Sequence, residues 1–239
     1  METLFTTEFD QDLKDSIPHL ANYPEMLPFI GKDWHTSKRI LLLGESHYLP
    51  FDAVQKITGL DFSKNWYLGN SKDLGSHYSN NLRTRSNVDL IENGYREKAL
   101  AIYSNIRNVL SQLPEVNCSE GVFNKFSFYN YFQKPANDDR AKDKNRSILP
   151  DSEDKNKAFE TLIQVIKIIK PTTIIFVSKK SFDAFKQVEF IKKESILNDI
   201  TVDFVPHASR QWWYTKSRSY GNRTGREKFT DLIKNCYSK

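Results

Sequence analysis

Cysteine is scarce in this chain. Cys118 and Cys236 are the only two among 239 residues, and their spacing matches no metal-binding pattern. Neither a disulfide scaffold nor a cysteine-ligated zinc or iron–sulfur site can be built from them. They read as a small buried side chain and a tail thiol. Glycine and proline are sparse too, at nine residues each, which excludes collagen-like and linker compositions. No apolar run reaches the roughly 18 residues that a membrane span requires. The opening METLFTTEFD is acidic and has neither the basic nor the apolar region of a secretory leader, so the expectation is a cytoplasmic protein without a membrane partner. Phosphate-binding and dinucleotide-binding glycine loops are also missing, which argues against nucleotide-driven motors and NAD enzymes. No cofactor and no metal are expected.

What is present suffices for a packed interior: 38% of residues are hydrophobic and 13% aromatic. The length suits a single α/β domain over 1–239, with a wrapping segment at 1–36 and a charged insertion loop at 136–157. Thirty-five Lys and Arg against 30 Asp and Glu give a net charge of +5, which permits a polyanionic partner without requiring one. A monomer is expected.

Apolar runs alternate with helical patterns along the chain. Scattered aromatics with Pro18, Pro24 and Pro28 suggest a short N-terminal helix followed by irregular wrapping. Ile40-Leu41-Leu42-Leu43-Gly44 is apolar on both faces, as a central strand of a parallel sheet is. Residues 49–95 are polar and rich in Asn and Ser, and predict a long surface excursion. Ala99, Ile102, Ile106, Val109 and Leu113 recur at helical spacing, and the aromatic run 126–132 favours strand. The segment 136–157 carries charge of both signs and predicts a solvated loop. A helix bearing Phe159, Leu162, Ile163, Ile166 and Ile169 ends at Pro171, and a strand follows over 172–177. Ser178 is placed to cap the helix of Phe182, Phe185 and Val188. A last strand covers 201–205. Thr224 and Glu227 then form a capping box that opens a helix with Phe229, Leu232, Ile233 and Cys236 inside. Strands alternating with helices predict a three-layer α/β/α fold around a mostly parallel four-stranded sheet.

Ligands of such folds sit beyond the carboxyl ends of the strands. The residues there are Gly44-Glu45-Ser46-His47-Tyr48, Asn130, Ser178 and Pro206-His207-Ala208-Ser209. Together they resemble the uracil-DNA glycosylase superfamily. Its members join a first-strand motif, Gly-Gln-Asp-Pro-Tyr-His or Gly-Glu-Ala-Pro-Gly, to a strand-terminal Asn and a late His-Pro-Ser. Here Gly44 to Tyr48 stand for the first motif, Asn130 for the second and His207-Ala208-Ser209 for the third. The resemblance covers about residues 38 to 235. Ser46 occupies the place of the family's water-activating Asp, and His47 that of the loop proline.

The resemblance implies hydrolysis of the bond joining uracil or another damaged base, flipped out of DNA, to its sugar. His207 would donate an imidazole N–H to the departing base. Glu45 would support the sugar cation or orient water, unless it only caps the next turn. Asn130 offers both a donor and an acceptor to a base edge, although it could equally tie two strands together. Gly44, Ser46, His47, Tyr48 and Ser209 would line the base pocket, with Tyr48 either stacking on the base or sitting in the core. Arg210, Trp212, Trp213, Lys216, Arg218 and Arg223 alternate cations with aromatics, the pattern of a DNA contact, though one Trp is expected to anchor the loop. Two alternatives stay open. One is a nucleic-acid-binding module of the same fold without catalysis. The other is a Ser-His acyl hydrolase, with Ser46 in a Gly-x-Ser turn and His207 late in the chain.

Overall fold

The computed structural model describes residues 3–50, 66–95, 100–116, 121–138 and 148–238. Cys118 lies outside them. The apolar run after Arg39 forms strand β2, Ile40–Gly44, buried along its whole length. Leu41 and Leu43 point to one hydrophobic layer, Ile40 and Leu42 to the other. Only a strand covered on both faces buries both halves of such an alternation, so β2 takes the centre of the sheet.

Around it lie β1, Phe29–Ile30, β4, Phe126–Asn130, β6, Thr173–Phe176, and β7, Thr201–Phe204, in the order β1-β4-β2-β6-β7. The last four run parallel, while β1 is antiparallel to β4. The sheet therefore has five strands where four were expected. The extra edge strand comes from the N-terminal segment, where Ser127 Oγ donates to the Phe29 carbonyl at 2.8 Å. A separate parallel pair joins β3, Tyr48–Pro50, to β5, Ala136–Asp138.

Helices cover both faces. On the Leu41/Leu43 side pack α1, Asp10–Ser16, α2, Pro18–Asn22, α6, Ser152–Ile169, and α7, Lys179–Lys192, through Leu13, Leu20, Phe159, Leu162 and Phe185. The other side takes α4, Thr84–Glu92, α5, Ala101–Leu110, and α8, Gly225–Tyr237, through Val88, Ile106, Phe229 and Ile233. Each such side chain contributes roughly 1.5–3 kcal/mol on leaving water. No helix among the described residues is long and apolar enough to cross a membrane.

Three expectations need correction. The described part of the supposed surface excursion is structured and packed. Asn70 and Asp73 form the capping box of α3, Ser71–Ser79, and Trp66, Leu82 and Val88 are fully buried. Asn- and Ser-rich composition signals loops only when those residues are not caps. Residues 51–65 lie outside the described set. The charged segment is also more ordered than its composition suggests, since it supplies β5 at one end and the first turn of α6 at the other. Asp154 is buried there, ion-paired with the equally buried Lys134 and accepting the Tyr67 hydroxyl at 2.9 Å. Residues 139–147 lie outside the described set. Finally, the N-terminal wrapping segment forms two helices and a strand rather than one short helix, and Leu13, Ile17 and Leu20 are buried within it.

His47 is buried beyond β2, 3.3 Å from Thr84 Oγ1, with a backbone hydrogen bond to Asn81. Burial pushes its pKa down to about 4. His19, among Tyr23, Trp66 and Tyr67, is pushed down by burial to about 3. Both imidazoles stay neutral in the fold while the unfolded chain takes up protons near pH 6.5. Their stabilising contribution is therefore full above that pH and declines as pH falls through the window between 6.5 and 4. His47 alone accounts for about 3 kcal/mol of this loss. Urea denaturation across pH 4–7 is expected to show the decline, with a shallower slope in a His47→Gln variant.

Candidate functional site

Four parallel strands end side by side, and each delivers one polar side chain to the same edge. Gly44 at the end of β2 is in register with Asn130 at the end of β4. The pairing continues past the strands, as Tyr131 N donates to Gly44 O at 3.1 Å and Phe132 N to Glu45 O at 2.9 Å. On the other side, Val177 N donates to Leu43 O and Val205 N to Phe176 O, both at 2.8 Å. Glu45, Asn130, Ser178 and His207 thus sit at, or within three residues of, the ends of β2, β4, β6 and β7. The chain leaves β2 toward β4 and leaves β6 toward β7, so β2 and β6 flank the topological switch point, the place where open α/β sheets bind ligands.

Gly44 has a steric reason to be glycine. A Cβ there would come within 2.1 Å of Asn130 Oδ1, so the missing side chain is what lets the carboxamide lie across the end of β2. Asn130 is buried, as are Glu45 and Ser46. Glu45 Oε2 accepts the Ser178 hydroxyl at 2.7 Å, and Lys180 Nζ lies 4.0 Å from Oε1. The sequence places Ser178 both just past a strand and at the cap of the following helix. It does occupy the N-cap position of α7, yet its hydroxyl makes no capping bond and turns to Glu45 instead.

His207 closes the group. Its Nδ1 accepts from the Ser209 backbone N–H at 3.2 Å and lies 2.9 Å from Ser209 Oγ. A backbone N–H can only donate, so Nδ1 carries the lone pair and the ring proton of the neutral imidazole resides on Nε2. Burial lowers the His207 pKa below its ordinary value, the Glu45 carboxylate works against that shift, and Arg210 adds to it. The product is a neutral imidazole with one N–H donor, electrostatically in touch with Glu45.

The remaining predicted pocket residues divide. Ser209 serves His207. Tyr48 is half-buried against the hydrophobic layer of α6 and α7, and His47 is engaged with Thr84 and Asn81. Ser46 Oγ is buried without a hydrogen-bond partner, so neither histidine activates it. The strand after it, β3, also stands where a nucleophile elbow needs a helix. An acyl hydrolase lacks both its nucleophile–base pair and its turn.

The basic and aromatic segment divides as well. Trp213 is 1% exposed and packs on Phe229 with ring centroids 5.7 Å apart, so it belongs to the core and not to a DNA-facing surface. Alternation along a loop cannot tell which of two adjacent tryptophans turns inward. Trp212 and Tyr214 remain on the surface, 44% and 60% exposed. Arg223 pairs with Asp231 at 2.8 Å, whereas among the described residues Arg210, Lys216 and Arg218 are exposed and have no ion-pair partner. Among the described residues, no group of three or more His, Cys, Asp or Glu is placed to hold a metal ion.

The loop carrying His207 is seated by α8. A Cβ on Gly225 would meet Pro206 Cγ at 2.4 Å and Trp213 Cε3 at 3.1 Å. A Gly225→Ala variant is therefore expected to push the 206–213 loop outward and to lose about 1–3 kcal/mol of stability, measured by chemical denaturation.

No family model matches this chain, and no curated protein or solved structure matches it either.

Proposed function

We propose that this protein is an N-glycosidase of the uracil-DNA glycosylase type, a cofactor-free three-layer α/β/α domain that excises uracil or another altered base everted from DNA. The observation that carries this reading is the meeting of Glu45, Asn130 and His207 at one end of the sheet, although 162 positions separate the first from the last. Excision breaks the bond between the base nitrogen and C1′ of the sugar. The bonding electrons leave with the base, and the neutral His207 imidazole is suited to donate its Nε2–H to the base oxygen on which negative charge collects. A neutral donor serves here because it stabilises that charge without needing to give up a proton. The Glu45 carboxylate faces the cationic sugar and takes the proton of the water that adds to C1′. Asn130 supplies an N–H donor and a C=O acceptor, the pair needed to read one edge of a pyrimidine.

The surface beside His207 fits the polyanionic substrate. Arg210, Lys216 and Arg218 offer exposed charge to phosphates, and Trp212 and Tyr214 offer ring faces to bases. One observation favours a second reading, a module that binds an everted base without cleaving it. Ser46 occupies the place of the water-activating Asp, and its buried hydroxyl has no partner through which to hold water.

Incubating the protein with uracil-containing and other damaged-base oligonucleotides, followed by alkali, separates the two readings. Strand breaks at the altered base support the glycosylase, and tight binding without breaks supports the module. A His207→Ala variant is expected to cut at least about a hundredfold more slowly while its binding changes far less. Arg218→Glu should lower the slope of log affinity against log salt by about 1, read by fluorescence anisotropy. Arg223→Glu should lower it less, since Asp231 already neutralises that guanidinium.

A further inference from the structure

Ser178 spends its hydroxyl in an unusual way. It is 1% exposed at the N-cap of a 14-residue helix, where a serine oxygen ordinarily accepts from the first-turn N–H groups. Here the hydroxyl donates to Glu45 Oε2 at 2.7 Å, across 133 positions of sequence, and the cap is left without a side-chain bond. Lys180, in the first turn of the same helix, donates to the Ile148 carbonyl at 2.9 Å, and its ammonium stands 4.0 Å from the other carboxylate oxygen. The opening of α7 therefore offers Glu45 a hydroxyl at one oxygen and a positive charge near the other.

We infer that Ser178 is the positioning residue of this site, holding the Glu45 carboxylate in the orientation from which it acts beside His207. The inference rests on the reading above only in assigning Glu45 a role in the reaction. A glutamate has three rotatable bonds, and a buried one keeps the rotamer in which its carboxylate oxygens meet their partners. A hydrogen bond from a buried, backbone-anchored hydroxyl selects that rotamer, and hydrogen bonds to charged groups are stronger than neutral ones. Leaving the cap unsatisfied costs the helix some stability, typically about 1 kcal/mol. Such sacrifices of local stability are characteristic of functional sites.

The test combines a mutant cycle with a titration, using the full chain. Ser178→Ala should slow single-turnover cleavage of a uracil-containing oligonucleotide about tenfold and leave KM within about twofold, because a hydrogen bond to a charged acceptor is lost without altering the substrate contacts. Ser178→Thr, which keeps the hydroxyl, should recover most of the rate. In a Glu45→Ala background, Ser178→Ala should have no further effect, since it acts only through that carboxylate. Independently of any activity, the NMR titration midpoint of His207 should fall in Glu45→Ala, fall part of the way in Ser178→Ala, and fall no further in the double variant than in Glu45→Ala. Full additivity of the two rate losses, or a His207 midpoint that Ser178→Ala leaves in place, would overturn the inference. If the protein cleaves nothing yet the midpoints move as described, Ser178 still positions Glu45 and it is the glycosylase reading that falls.

Discussion

The register between β2 and β4 is the constraint on which the rest of the site depends. Leu43 lies opposite Tyr129 and Gly44 opposite Asn130, so the one residue without a side chain meets the one whose carboxamide needs its space. A slip by one position would place Leu43 against Asn130 and turn every side chain of β2 to the wrong layer. Ile40 and Leu42 on one side, with Leu41 and Leu43 on the other, make that slip costly across the whole strand. Hydrophobic burial thus sets the position of a polar site to within one residue. The pairing of β2 with β6 and of β6 with β7 then carries the same alignment to Ser178 and His207.

Around this edge, the protein repeatedly takes polar groups out of water and satisfies them with distant partners. Asp154 meets Lys134 and Tyr67, Glu45 meets Ser178, and Trp66 Nε1 donates to the Gln133 carbonyl at 3.0 Å. Gln133 in turn donates through Nε2 to the carbonyls of Asn130 and Tyr131 at 2.9 and 3.0 Å, bracing the turn just after the candidate base-reading residue. A buried polar group is costly when left unpaired, so each of these bonds restricts the loops to conformations that keep it. Loops held in this way present preformed groups, which is what stabilising a transient charge requires.

The placement of charge on the surface follows a similar division of labour. Arg223 and Lys228 are engaged by Asp231 and Asp203, and the ammonium of Lys228 also sits over the Phe204 ring at 4.0 Å. These cations serve the fold. Arg210, Lys216 and Arg218 do not share in that pairing among the described residues, and like Trp212 and Tyr214 they are exposed. A net charge of +5 conceals this distinction, because paired and uncommitted cations count alike in a sum.

Several features were legible in the residues alone. The runs at Ile40, Thr173 and Thr201 are strands because an apolar or β-branched stretch of four or five residues between breakers has few other uses, and Thr224 with Glu227 forms the expected capping box. The alternation of strands and helices also determined the α/β class and directed attention to the strand ends. Composition misled where the partner lay far away in sequence. Asp154 looked solvated until Lys134 was beside it, Trp213 looked like its exposed neighbour, and Ser178 looked like a cap. By itself, then, the sequence determined which segments become strands and helices, since that depends on period and on adjacent residues. Only the tertiary structure decided which polar side chains meet, because a hydrogen bond between residues 133 positions apart depends on strand order and register, which no local pattern encodes.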